Sequence, residues 1–197
     1  MPRRTFEFDE PDRFVAGTIG QPGQRTFFLQ ARDRRRVVSV ALEKAQVAVL
    51  ADRLGLLVLE LERRGLAGAP GAVPVPDTAA LDEPLNEVFR AGTLTLGWDG
   101  DRDRVLVEAR EQTADDGDPE ETAIAEGVEA GEGAEEDDDE DDERDVFRVR
   151  ISADAARSFV ERAMRVIRSG RPPCPICGNP LDPAGHLCPR KNGHYVN

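Results

Sequence analysis

The sequence predicts an α+β fold: duplicated βββα units forming a largely antiparallel sheet of about six or seven strands, two long helices, and a C-terminal zinc-ribbon-like tail. Three observations lead there. Short alternating apolar segments, separated by turn residues, precede each of two helix-length segments. The run Phe14-Val15-Ala16-Gly17-Thr18-Ile19 returns as Phe89-Arg90-Ala91-Gly92-Thr93-Leu94. All three cysteines and both histidines of the chain fall between residues 174 and 194.

The elements follow in order. Residues 5–8 alternate as a short strand, and Asp9-Glu10-Pro11-Asp12 turns the chain. Residues 13–19 form a second strand, and Gly20-Gln21-Pro22-Gly23 a strong turn. Strands at 26–32 and 37–42 flank Asp33-Arg34-Arg35, and short turns between consecutive strands imply an antiparallel meander. A helix is expected over 43–64, with Ala45, Val49, Leu50, Leu54, Leu57, Val58 and Leu61 as its apolar stripe. Gly55 inside it points to a kink or to close packing, and Gly65 is a C-terminal stop.

Residues 66–78 are rich in Gly, Ala and Pro and read as a linker, with a short helical turn at 82–89. Residues 91–98 and 104–109 read as strands around the Asp99-Gly100 turn, and 146–151 as a further strand. Ser152 is a good N-cap for a second helix that runs to about Ser169, with Ala155, Phe159, Val160, Ala163 and Ile167 inward. Gly170 ends it, and Pro172-Pro173 lead into the cysteines.

Between the last two strands lies an acidic insert. The whole chain carries a net charge of −13, yet residues 111–145 hold 19 of its 39 acidic residues and one basic residue, Arg144. The body is therefore mildly basic, and the insert, with almost no apolar residues, is expected to be disordered. Without it both halves read βββα, at 5–65 and 88–169, in one domain over 1–169. The insert then joins two paired strands as a long hairpin loop. Lengthening such a loop costs little, about 0.6 kcal/mol per doubling, so its removal should leave the fold intact.

The tail, residues 170–197, carries the plainest chemistry. Zinc takes four thiolate or imidazole ligands in a tetrahedron. Cys174 and Cys177 form a C-x-x-C turn followed by Gly178, and His186 and Cys188 sit two apart, on one side of a strand. Together they make a Cys3His set for one structural Zn2+, with His194 as the reserve imidazole. Three rivals use the same thiols. A thioredoxin-like redox pair should follow a strand and open a helix, whereas a helix ends just before this one. A zinc deaminase needs H-x-E upstream, and no His or Cys occurs upstream. The third is three unrelated thiols.

Several stretches carry a resemblance: R-F-V-A-G-T-I-G-Q-P-G-Q-R-T-F-F-L-Q-A-R at 13–32, S-V-A-L-E-K-A-Q-V at 39–47, L-G-W-D at 96–99 and G-R-P-P-C-P-I-C-G-N-P-L-D-P-A-G-H-L-C-P-R-K-N-G at 170–193. The chain resembles an actinobacterial domain-of-unknown-function family of roughly 200-residue proteins, over nearly its whole length apart from insert and linker. The resemblance implies a bacterial cytoplasmic protein. It favours His186 over His194 as the imidazole ligand, and it implies no activity.

The remaining polar candidates have plain structural readings beside functional ones. Gly20–Arg25 is glycine-rich but lies between strands, so it reads as a hairpin turn rather than a phosphate loop, which must open a helix. Gln30, Arg32, Glu43 and Lys44 stand on otherwise apolar segments, and Glu43 suits a helix N-terminus. Arg13, Arg25 and Arg90 are candidates to converge on an anion, against ordinary strand-face charge. Trp98 reads as packing. Arg34, Arg35, Arg36, Arg168, Arg171, Arg190 and Lys191 invite a nucleic-acid reading, which the acidic insert opposes by competing with phosphate.

No apolar run is long enough to span a membrane, and no export signal is visible, so a reducing cytoplasm is expected. The expected function is a non-enzymatic, zinc-stabilised interaction module whose partner is another protein. The alternatives are a nucleic-acid-binding protein using the ribbon and arginines, and an enzyme or ligand-binding protein with a pocket between the halves.

Overall fold

The computed structural model describes residues 3–67, 76–113, 124–127, 143–170, 174–177, 181 and 188. The chain runs β1 (Thr5–Asp9), β2 (Arg13–Ile19), β3 (Thr26–Asp33), β4 (Arg36–Leu42), α1 (Lys44–Arg63), β5 (Glu87–Asp99), β6 (Arg104–Glu111), β7 (Ile124–Gly127), β8 (Val146–Ile151) and α2 (Ala153–Arg168). One sheet orders them β1-β8-β6-β5-β4-β3-β2, and β7 pairs with β5 off that path. The glycine-rich run at 20–25 is the β2–β3 hairpin turn, with Gly20 at φ 103° and Gly23 at φ 100°.

The sheet is mixed rather than largely antiparallel. The β2–β3, β3–β4, β5–β6 and β6–β8 pairs are antiparallel, and β1–β8, β4–β5 and β5–β7 are parallel. Two of the three parallel pairs follow from the chain path. A helix between β4 and β5 makes their link a crossover, which returns the chain in the same direction. β1 does not join the neighbouring meander. The chain turns a corner at Glu10, which has φ 48°, and β1 runs along β8 instead.

Duplication fits in part. β2-β3-β4-α1 and β5-β6-β8-α2 are both meanders followed by a helix, set side by side in the sheet. The recurring hexapeptide starts the first strand of each. But β5 has 13 residues against 7 in β2, and its register slips between Ala91 and Leu94 where β2 pairs without a break. β1 and β7 have no place in either unit. The acidic insert does span two paired strands, since β6 and β8 are antiparallel neighbours. Its described residues include β7, four residues long and laid along β5.

The sheet curls. Five strand spacings separate β8 from β2, about 24 Å in a flat sheet. Yet the rings of Phe147 on β8 and Phe14 on β2 have centroids 6.4 Å apart. Phe159 of α2 stacks on Phe14 at 4.8 Å, and Phe8 of β1 lies 5.9 Å from Phe147. Aromatic rings from both ends of the sheet thus meet over α2, and one continuous apolar core includes both helices.

The helix faces differ from the expected ones by small rotations. On α1 the buried set is Gln46, Val47, Leu50, Ala51, Leu54, Leu57, Val58 and Leu61, while Val49 is exposed. On α2 it is Ala156, Phe159, Arg162 and Ala163, while Ala155 is exposed. Gly55 sits opposite Val160 of α2, so it marks close helix packing. Ser152 caps α2 by accepting from the Ala155 N–H at 3.2 Å.

The segment after α1 is more than a linker. Residues 76–86 have no helical turn and lie as a strap across the face of β2, β3 and β4 that points away from the helices. Gln30 on β3 donates to the Asp82 carbonyl at 3.0 Å and accepts from the Asp82 N–H at 2.7 Å. The Ser39 N–H donates to the Asn86 carbonyl at 3.3 Å. Leu81 fills the space that a side chain at Gly17 would occupy. β3 is therefore covered on both faces, and five of its residues in succession are buried.

Candidate metal centre

The tail begins just past α2, with Pro175–Cys177 in a turn. Cys174 and Cys188 are buried and Cys177 is half-buried. The three Sγ atoms lie within 4.8 Å of one another. Tetrahedral zinc, with Zn–S bonds near 2.3 Å, holds its sulfurs about 3.8 Å apart. A cation of that size therefore fits between these thiols after shifts of about an ångström or less. His186, the fourth expected ligand, and His194, its reserve, lie outside the described residues, as do Arg171, Arg190 and Lys191.

The thiol chemistry is suited to a cation. Backbone N–H groups of Cys177 and Ile176 point at the Cys174 sulfur and, against some burial, lower its pKa to about 6. The thiolate then prevails at neutral pH, and the thiolate is the form that ligates metals. A C-x-x-C turn makes this possible because it folds its own N–H groups back onto its first sulfur. No helix opens within the described part of the turn, unlike a redox pair of the thioredoxin type.

The other candidates are held in structural contacts. Arg13 binds Asp77 at 2.6 Å and Asp82 at 2.6 Å, Arg25 donates to the Ser169 hydroxyl at 3.0 Å, and Arg90 pairs with Glu43 at 2.7 Å. The three arginines do not converge. Arg32 pairs with Asp82 at 3.5 Å. Lys44 opens α1 and is exposed. Trp98 is buried in the core. Arg34 and Arg36 border the β3–β4 turn, and Arg168 ends α2 beside the β2–β3 turn, so the length of β3, about 25 Å, separates them.

Two residues organise the body without having been singled out from sequence. Arg162 of α2 is buried and donates to the carbonyls of Ala16 at 2.8 Å, Asp77 at 2.7 Å and Ala79 at 2.8 Å, and to the Asp77 carboxylate at 2.7 Å. Gln46 of α1 accepts from the Glu43 N–H and donates to the Ala91 and Gly92 carbonyls at 3.1 and 3.0 Å. Each is a polar residue on the inward stripe of its helix, which was the available signal.

α1 also shows large apolar side chains to solvent. Leu56 and Leu59 of α1 are 59% and 56% exposed. With Arg53, Leu57, Glu60, Arg63 and Leu96 they line a groove of about 350 Å³ between α1 and β5. A second concavity of about 550 Å³ runs beside the strap, between Gly17–Ile19, residues 80–85 and α2. No helix among the described residues is long and apolar enough to cross a membrane.

No curated protein and no solved structure matches the chain. One family model does, that of a protein of unknown function (DUF3090), over residues 6–188. That match takes in the strands, both helices and all three cysteines, so the chain belongs to the DUF3090 family.

Proposed function

We propose that this protein is a non-enzymatic interaction module that binds another protein in a reducing, cytoplasmic setting, and that one structural zinc ion closes its tail. The exposed leucine groove of α1 carries the interaction reading. Large apolar side chains exposed beside one another on a helix mark contact surfaces. Cys174, Cys177 and Cys188 hold the zinc, with His186 as the fourth ligand; bound zinc supplies folding free energy to a ribbon too short for its own core.

Of the arginines that invite a nucleic-acid reading, Arg34 and Arg36 stand at one end of β3 and Arg168 at the other rather than in one patch. The test is cross-linking of the tagged protein in its own cells. Protein adducts that disappear in a Leu56→Glu, Leu59→Glu double variant are the expected result. Nucleic-acid adducts, lost as salt is raised, would overturn it in favour of the alternative.

A further inference from the structure

β5 is longer than the strand beside it. β4 pairs with it at Glu87 and Arg90 and then ends at Leu42, while β5 continues to Asp99. The backbone edge beyond Arg90 has to be satisfied some other way. Gln46 takes the carbonyls of Ala91 and Gly92. Next to it, Leu94–Gly97 pair in parallel with β7, a four-residue piece of the acidic insert. Leu96 of that edge also belongs to the leucine groove.

We propose that the Leu94–Gly97 edge of β5, together with the leucine groove of α1, is a strand-accepting site for an extended, acidic segment of a partner protein. In the free protein the chain's own Ile124–Gly127 pairs with that edge, while Leu56 and Leu59 of the groove stay exposed. The partner's chemistry is read from the occupant. The paired residues, Ile124-Ala125-Glu126-Gly127, mix small and branched apolar residues with a carboxylate, and in sequence Glu120, Glu121 and Glu129 flank them. Arg53 and Arg63 line the groove beside Glu60, with which Arg63 pairs at 3.2 Å. Main-chain hydrogen bonds would supply binding, and the leucines and arginines selectivity, as in other strand-addition sites. Tethering makes the insert an internal competitor, so a partner must displace it.

The proposal rests on the reading of the protein as an interaction module, not on its zinc. It is tested on the full-length protein with a fluorescent peptide of residues 120–131, followed by anisotropy. A double variant, Ala125→Pro with Glu126→Pro, removes two successive N–H groups of β7, so it loosens the strand whichever of them faces β5. That variant is expected to bind the peptide at least about tenfold more tightly than wild type, because the competitor is gone. Adding Leu56→Glu and Leu59→Glu should abolish the gain. Equal affinity for wild type and the proline variant, no binding to either at about millimolar peptide, or binding that survives the glutamates would overturn it. If the peptide fails while cells still yield adducts that depend on Leu56 and Leu59, the strand site falls and the interaction reading stands.

Discussion

Arg162 donates from Nε to the backbone carbonyl of Ala16 at 2.8 Å, so a helix side chain satisfies the open edge of β2. Its remaining donors reach Asp77 and Ala79 in the strap. One guanidinium therefore joins the last helix, the edge strand and the segment that covers the sheet. Burial disfavours its charged form, which the Asp77 carboxylate partly offsets.

Replacing Arg162 by Met should destabilise the protein by about 2–4 kcal/mol, because Ala16 and Asp77 lose partners in a half-buried site. Arg162→Lys should cost less but not be neutral, since an ammonium cannot make the same fork of bonds. Urea unfolding measures both. A loss under about 0.5 kcal/mol for Met would mean that the contact is incidental.

The strap's seat at Gly17 gives a second prediction. A Cβ there would stand 2.5 Å from Leu81, so Gly17→Ala must push Leu81 out of place. A destabilisation of about 1–3 kcal/mol is expected. Leu81→Ala combined with Gly17→Ala should cost less than the sum of the two single changes, since the smaller side chain leaves room. Strict additivity in thermal unfolding would show that the two residues do not share that space.

Stability should fall in acid. A hydrogen bond from Arg150 lowers the Glu7 pKa, and one from Arg13 lowers that of Asp77. Burial works against ionisation of Asp145, but bonds from Arg4 outweigh it and its pKa is also lowered. Folded pKa values below the unfolded ones mean that the contribution is full above about pH 5 and is lost as pH falls through the folded values. Unfolding free energy should be nearly flat from about pH 7 to 5 and decline below about pH 4. Asp77→Asn should make that decline shallower. An equally steep decline in the variant would remove Asp77 from the explanation.

Much of the body was legible because its signals are local. Gly20 and Gly23 mark the β2–β3 turn, Ser152 caps α2, and Phe14, Leu29, Val40 and Phe147 alternate as core residues should. What sequence missed is non-local. β1 reads as the start of a meander, yet its partner β8 lies some 140 residues away, a separation that no periodicity reports. The strap at 76–86 reads as the end of a linker at 76–78 and a helical turn from 82, because its polar residues match partners on β2, β3 and α2, which only the fold brings near. Gln30 and Arg13, candidates for a ligand site, prove to be that strap's anchors. For the tail, the C-x-x-C spacing and Cys188 were enough to expect one shared centre, and their sulfurs do converge. The imidazole of His186 lies outside the described residues.

Cys174→Ser should leave the melting of the body unchanged and speed hydrogen exchange only in residues 170–197. The ring contacts of Phe14 with Phe147 and Phe159 are made within the body. Faster exchange through β2 or α2 would mean that tail and body fold as one unit.

Elemental analysis of protein purified without added metal, read beside a thiol titration, decides whether the three thiols hold one cation. One zinc per chain in the wild type, a loss of most of it in Cys174→Ser, and thiols that react only after chelation are expected. Metal-free wild-type protein with three freely reactive thiols would contradict a shared centre.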